Sequence, residues 1–397
     1  MPVARTHSIA LVGVEGHPVE IESDIENGLP GLLLVGLPDT ALREARDRIR
    51  AAIVNSGEQW PQRRITVGLS PASLPKRGSG FDLGIAVSVL AAAGTVPVAT
   101  IEGVTFLGEL GLDGRLRPVC GVLPAVAGAA AAGFRKVAVP EASAPEAALV
   151  PGLTVLGAPT LGALLAWLRG ERDTGQEVTV RMSGDGAGVQ PGQAASPAAG
   201  GSPRSAGLPT PSGPVSSRPD LADVLGQPAA RRAAEICAAG GHHLSLLGPP
   251  GAGKTMLAER IPTILPSLDR SAALEVTTIH SVAGTLPAGR PLMTDPPYCA
   301  PHHTATKAAI VGGGIGVIRP GAASLAHRGC LFLDEAPEFG RDVLDALRQP
   351  LESGEVVVAR LGLTARFPAR FTLVLAANPC PCAKGPASAT GCTCTSA

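Results

Sequence analysis

The sequence predicts an α/β protein in two parts. Three observations carry this. Short apolar strands alternate with helix-spaced stretches through most of the chain. One such strand, His243–Leu247, runs into a glycine-rich loop and then a helical stretch. Between the parts lies a segment, from about Asp173 to Arg218, dominated by Gly, Pro, Ser and Ala with no apolar period. That composition buries too little surface to offset the entropy of ordering, so it reads as a flexible tether. The expected division is 1–172, a linker over 173–218, and 219–397.

In the first part, Ile9–Val14 and Val19–Ile25 read as strands around a turn at Gly16, and Leu32–Val35 as a strand closed by Gly36. Thr40–Asn55 has helical spacing, with Leu42, Ala45, Ile49, Ala52 and Ile53 on one face and Gly57 as a stop. Arg64–Leu69, Val104–Glu109 and Lys136–Val139 read as strands. Phe81–Ala93, Leu123–Ala132 and Leu161–Leu168 read as helices. In the second part a helix near Ala229–Ala239 precedes His243–Leu247, and two further strands, Cys330–Leu333 and Phe371–Ala377, end at Asp334-Glu335 and at Asn378. This alternation predicts a parallel sheet covered on both faces.

Composition narrows the function classes. Of 397 residues 45% are apolar, enough for real cores, and Lys+Arg and Asp+Glu are 33 each, so the chain as a whole is not basic. Trp 2, Tyr 1 and Phe 7 leave little for a base-stacking platform. The uncharged stretches Leu83–Ile101 and Pro118–Phe134 are broken by Gly94, Pro97 and Pro124, which fits buried helices with their loops rather than membrane spans. The start lacks the apolar core of a secretory signal. Cys120, Cys237, Cys299 and Cys330 are scattered as in a reducing compartment, so a cytoplasmic location is expected.

The chemistry concentrates at Gly248-Pro249-Pro250-Gly251-Ala252-Gly253-Lys254-Thr255, which fits G-x-x-x-x-G-K-[ST] at every fixed position. Glycines let backbone N–H groups wrap phosphates, Lys254 would reach the β/γ-phosphates of ATP, and the Thr255 hydroxyl would ligate Mg²⁺. Asp334, at the end of a buried strand, would hold the Mg²⁺ through water, and Glu335 would polarise the attacking water as the base. Asn378 would orient that water beside Glu335. Lys254, Glu335 and Asn378 are therefore the expected catalytic set.

Near the end, Cys380-Pro-Cys382 and Cys392-Thr-Cys394 form two C-x-C pairs. Four thiolates can hold Zn²⁺ tetrahedrally, but C-x-C is tighter than the usual C-x₂-C, so reduced free cysteines stand as the alternative. His302 and His303 on an extended segment would point to opposite faces, which argues against a joint metal site. Arg43, Arg46, Arg48 and Arg50 share one helix, with Arg63, Arg64, Lys76 and Arg77 nearby. Such a cluster can meet nucleic-acid phosphates, although Glu44 and Asp47 on the same helix equally describe a salt-bridged solvated face.

GPPGAGKT, LFLDE and LAANP in this order resemble an AAA+ ATPase. The more specific stretches APHHTAT (300–306), VGGG (311–314), RPGAASLAHRGCLFLDEAPEF (319–339) and LRQPLESGEVVVAR (347–360) resemble the magnesium-chelatase-like branch, in particular the YifB/ComM family. GLPDTALREARDRIRAAIVNSG (36–57), PKRGSGFDLGIA (75–86) and FLGELGLDGRLRPVCGVLPA (106–125) resemble the same family's Lon-protease-like domain. The resemblance implies a Lon-like α+β domain of the ribosomal S5 domain 2-like kind, then a P-loop AAA+ α/β/α core. It implies an ATP-driven homo-hexameric motor on single-stranded or branched DNA, remodelling DNA or migrating branches in recombination or transformation, with no membrane partner. A magnesium-chelatase motor subunit and a Lon-type peptidase are the alternatives. Family members carry an aromatic-Arg pair before PHH, where this chain has Tyr298-Cys299. They also continue into a helical lid, so the resemblance places Ala397 before it and makes ATP binding a safer expectation than turnover. Arg319, Arg328, Arg360 and Arg366 are candidates for the arginine that acts in trans. For the peptidase, Ser79 is the nearest serine to the Lon nucleophile, but no lysine lies where its partner is expected.

Overall fold

A computed structural model describes residues 3–36, 40–171, 178–182, 219–287, 289–314, 318–360 and 363–380. Ten strands precede residue 183: β1 (Ala4–Val12), β2 (Glu15–Glu26), β3 (Gly31–Val35), β4 (Arg64–Ser70), β5 (Val104–Phe106), β6 (Glu109–Leu110), β7 (Leu116–Arg117), β8 (Lys136–Pro140), β9 (Thr154–Ala158) and β10 (Thr179–Met182). Eight of them make one sheet in the order β10-β9-β8-β5-β1-β2-β4-β3, and β6 and β7 form a separate small hairpin. The run β9-β8-β5-β1 is parallel, while β2 pairs antiparallel with both β1 and β4.

Alternation along the strands sends side chains to two cores. Val137 and Val139 of β8 join a cluster with Val122, Leu123 and Val126, whereas Ala138 joins a second cluster with Ile49, Ile53, Leu83 and Leu90. The sheet is therefore covered on both faces. The helix Asp82–Ala92 is buried along its whole length, which explains the uncharged run that follows Asp82 without a membrane. Among the described residues no helix is long and apolar enough to cross one.

The β1–β2 turn falls at Gly13 (φ 64), not at Gly16, which lies inside β2 with Pro124 O and Gly128 Cα near where a side chain would go. The stretch expected as one strand over Val104–Glu109 is split, because Leu107 and Gly108 turn the chain from the large sheet into the β6–β7 hairpin. Residues 179–182, expected within the tether, pair with β9 as β10. The rest of 173–218, apart from Val178, lies outside the described residues.

The second sheet is built from β11 (Leu244–Leu247), β12 (Tyr298–Cys299), β13 (Cys330–Leu333) and β16 (Thr372–Ala377), in the order β11-β16-β13-β12 and parallel throughout. β14 (Glu355–Arg360) and β15 (Leu363–Pro368) form an antiparallel hairpin beside it. Leu331 and Leu333 face one core, and Cys330 and Phe332 the other. The helix Arg270–Ala283 starts at an Asp269 cap that accepts from Ala272 N at 2.8 Å and stops at Gly284 (φ 72). The hairpin meets the first sheet: Phe367, Ala365 and Val282 cluster with Leu11 and Val14, and Gly121 N donates to Ser281 O at 2.9 Å.

Candidate nucleotide site

Three parallel strands end side by side, and in an open α/β sheet ligands lie beyond those carboxyl ends. β11 runs into the loop 248–253. Gly251 (φ 79) and Gly253 (φ 80) take left-handed backbone there, which any side chain would oppose. Gly248 N donates to Ala377 O at 3.2 Å, tying this loop to the end of β16. β13 delivers Asp334 and Glu335, and β16 delivers Asn378. Together they line a cleft of about 420 Å³ with Pro250, Gly251, Ala252, Gly253, Lys254, Thr255, Met256 and Ala377. Gly248 and Pro249 do not line it, and meet the site through their carbonyls instead.

The polar groups interlock. Thr255 Oγ1 donates to Asp334 Oδ2 at 2.7 Å, joining two residues 79 apart in sequence. Lys254 Nζ donates to Gly248 O (2.8 Å), Pro249 O (3.1 Å) and Asn378 Oδ1 (3.0 Å). These three contacts engage all three ammonium donors, so a phosphate on Lys254 replaces at least one of them. Asp334 Oδ1 accepts from Glu335 N at 3.0 Å, and Glu335 itself has left-handed backbone (φ 52). Thr255 and Asp334 thus present adjacent hard oxygens, the donor chemistry Mg²⁺ takes.

Two contacts escaped the sequence reading. Gln227, at the start of the helix Pro228–Gly240, donates from Nε2 to Ala252 O at 2.6 Å and props the loop from outside. His303 places Nδ1 3.3 Å from Glu335 Oε2. The expectation that His302 and His303 diverge is not met, because the chain turns at His303-Thr304 and the rings pack together, tilted by 34° with centroids 4.0 Å apart. Adjacency of two histidines was the signal, but a turn rather than a strand decides where they point.

Other expected groups are dispersed. Arg48 is committed to the buried Asp82, with Nε–Oδ2 at 3.0 Å, and Lys76 is buried with Nζ donating to Pro71 O. The basic cluster therefore loses two members, and the side chain of Arg43 lies outside those described. Arg328 pairs with Glu275 and Arg366 with Glu355. Cys380 is half-buried, but Cys382, Cys392 and Cys394 lie outside the described residues. Among the described residues no group of three or more His, Cys, Asp or Glu side chains is placed to hold a metal. A second cavity, about 480 Å³, includes Arg328, Arg370 and His243 in its lining, at the opposite ends of the strands.

Comparison with known proteins shows the family. The family model described as magnesium chelatase, subunit ChlI, matches residues 220–397, and a second, subunit ChlI of Mg-chelatase, matches residues 21–143. The chain is 52% identical over 397 residues to an uncharacterized protein of Mycobacterium tuberculosis (strain H37Rv), covering all of this chain and 73% of that one. It is 41% identical over 383 residues to YifB of Escherichia coli and 40% identical over 387 residues to the competence protein ComM of Haemophilus influenzae. Each of these alignments covers 96% of this chain and 69% of the relative. Similarity to the magnesium-chelatase 38 kDa subunit of Acidiphilium rubrum, 42% identical, is confined to 66 residues, 17% of this chain. A phosphate loop and its acidic pair at one strand end, with matches that run nearly the whole chain, place this protein in the magnesium-chelatase-like family of YifB and ComM.

Proposed function

We propose that the chain is the ATP-hydrolysing part of a motor that remodels DNA. The observation that carries the nucleotide reading is the 2.7 Å contact of Thr255 with Asp334, which brings phosphate loop and acidic strand end into one cleft. Loop N–H groups and Lys254 hold the β- and γ-phosphates. Thr255 and Asp334 would hold Mg²⁺, which would offset phosphate charge. Glu335 accepts a proton from water as the water oxygen bonds to the γ-phosphorus. The bond from that phosphorus to the β–γ bridging oxygen breaks, its electron pair leaves with ADP, and inorganic phosphate is the other product. Asn378 orients the γ-phosphate and water through the amide nitrogen that its contact with Lys254 leaves free.

DNA as the object of the motor, a homo-hexameric ring and a cytoplasmic location belong to the same proposal. Support comes from a relative named a competence protein, which matches 96% of this chain and is itself covered to 69%. The proposal also takes 1–172, together with the edge strand β10, and 219–397 as the working units on either side of a linker. A chelatase motor is less favoured, since similarity to the magnesium-chelatase 38 kDa subunit itself covers 17% of the chain. A peptidase is less favoured because Ser79 donates to the carboxylate of Glu109 while Lys76 donates to Pro71 O.

The test is ATP binding and phosphate release by the full chain, with and without single-stranded DNA. K254A is expected to lose ATP binding, and E335Q to keep it while hydrolysis falls about 10²–10⁴-fold. ATP bound equally by K254A and wild type would falsify the site, and turnover indifferent to every DNA form would sink the DNA reading.

A further inference from the structure

The carboxylate of Glu335 has a neighbour with no role in the reading above. Among the described residues, His303 is the side chain paired with it, Nδ1 to Oε2 at 3.3 Å. The fold arranges this meeting. β12 and β13 are parallel neighbours with Cys299 opposite Leu331, and His303 and Glu335 each lie four residues beyond that pair. After β12 the chain passes through Pro301 and turns at His303-Thr304, before the helix Lys307–Val311.

His302 holds the turn. Its Nδ1 accepts from Thr304 N at 3.3 Å and lies 2.9 Å from Thr304 Oγ1, so this ring is fixed on its own backbone. The His303 ring packs against it, tilted by 34° with centroids 4.0 Å apart. One imidazole is thus held by its own turn, and the other leans on it and reaches the acid.

We propose that His303 is a positioning residue for Glu335, with His302 as its support. This rests on the ATPase reading. The Glu335 side chain is 51% exposed and stands on left-handed backbone, so little else restrains its rotamer. From 3.3 Å, an imidazole N–H turned onto Oε2 would fix the carboxyl plane and leave Oε1 to take the proton from water. A general base displaced by about 1 Å loses on the order of 10²-fold in rate, so the contact acts on turnover rather than on nucleotide affinity.

The test compares ATP turnover and ATP affinity of the full-length chain as wild type, H303A, H303N and H303Q, with K254A as the blank. Asn carries its Nδ2 the same number of bonds from Cα as the imidazole Nδ1, and Gln carries its nitrogen one bond further. H303A is expected to lower kcat about 10–100-fold with KM within about twofold, H303N to recover most of the loss, and H303Q to recover little. H302A is expected to fall between wild type and H303A. Turnover by H303A equal to wild type overturns the proposal. Equal impairment of H303A and H303N also overturns it, because that marks a packing role. If H303A fails to fold, the contrast of H303N with H303Q decides by the same criterion. Wild-type turnover no greater than that of K254A removes the ATPase reading itself, whereas normal wild-type turnover with an unimpaired H303A removes only the positioning role.

Discussion

Ser281 donates its hydroxyl to Glu146 Oε1 at 2.5 Å, and the same oxygen accepts Leu123 N at 2.8 Å. Glu146 lies before β9 of the first sheet, and Ser281 near the end of the helix Arg270–Ala283, so one carboxylate oxygen fastens two parts of the chain 135 residues apart. Burial pushes the Glu146 carboxyl above its ordinary range, and the two donors pull the other way. E146Q keeps an acceptor without a buried charge and is expected to leave stability within about 1 kcal/mol. E146A strands both donors and is expected to cost roughly 1–3 kcal/mol. Denaturant unfolding of the two variants checks this, and equal stabilities would show that the oxygen fastens nothing.

Removing either oxygen of the Thr255–Asp334 pair should weaken Mg²⁺ more than ATP. For T255A and D334N the Mg²⁺ concentration that half-saturates turnover is expected to rise about tenfold or more, the equivalent of one lost ligand at about 1.4 kcal/mol. Nucleotide affinity measured without Mg²⁺ should move little. A Mg²⁺ titration of each variant reads this directly.

Asn378 sits 3.0 Å from the Lys254 ammonium. N378D places a carboxylate there and sets it in competition with phosphate for the same cation. Its ATP affinity should fall by about tenfold or more, since a charge-assisted bond is worth about 1.5–3 kcal/mol. N378A should bind ATP nearly as wild type and turn over slowly. Equal affinities for N378D and N378A would mean that Lys254 does not meet the phosphates.

Burial pushes the Asp82 carboxyl from 3.8 up to about 6, against hydrogen bonds from Arg48 and Leu110 N that favour the ion. The folded chain then keeps this proton to about pH 6, and the unfolded chain only to about pH 4. Between those values the fold binds more protons, so this residue's contribution to stability falls as pH rises through the window and is level above it. Unfolding free energies of wild type and D82N from pH 4 to 7 should differ by that slope. Parallel curves would refute it.

Periodicity and punctuation made much of this structure legible. Ala45, Ile49, Ala52 and Ile53 are fully buried at the spacing that predicts their helix, and β13 is bounded as its apolar run reads. The phosphate loop, Asp334, Glu335 and Asn378 converge because parallel strands aim their ends one way. Pairing was harder to see. β9 and β10 owe their strand form to neighbours rather than to composition. β12 is two residues long and set by its register with β13, so the meeting of His303 with Glu335 had no local signature. Arg48 and Lys76 looked like surface cations because charge in a sequence does not tell which carboxylate or carbonyl lies across the fold.

The helix Arg270–Ala283 has fourteen residues, about 21 Å at 1.5 Å per residue. At its far end Ser281 is clamped to Glu146. Further back along it, Glu275 holds His327 and Arg328, the residues that lead into β13. The two grips lie six residues apart, about 9 Å of helix, so this one helix ties Glu146 to the residues that lead into β13.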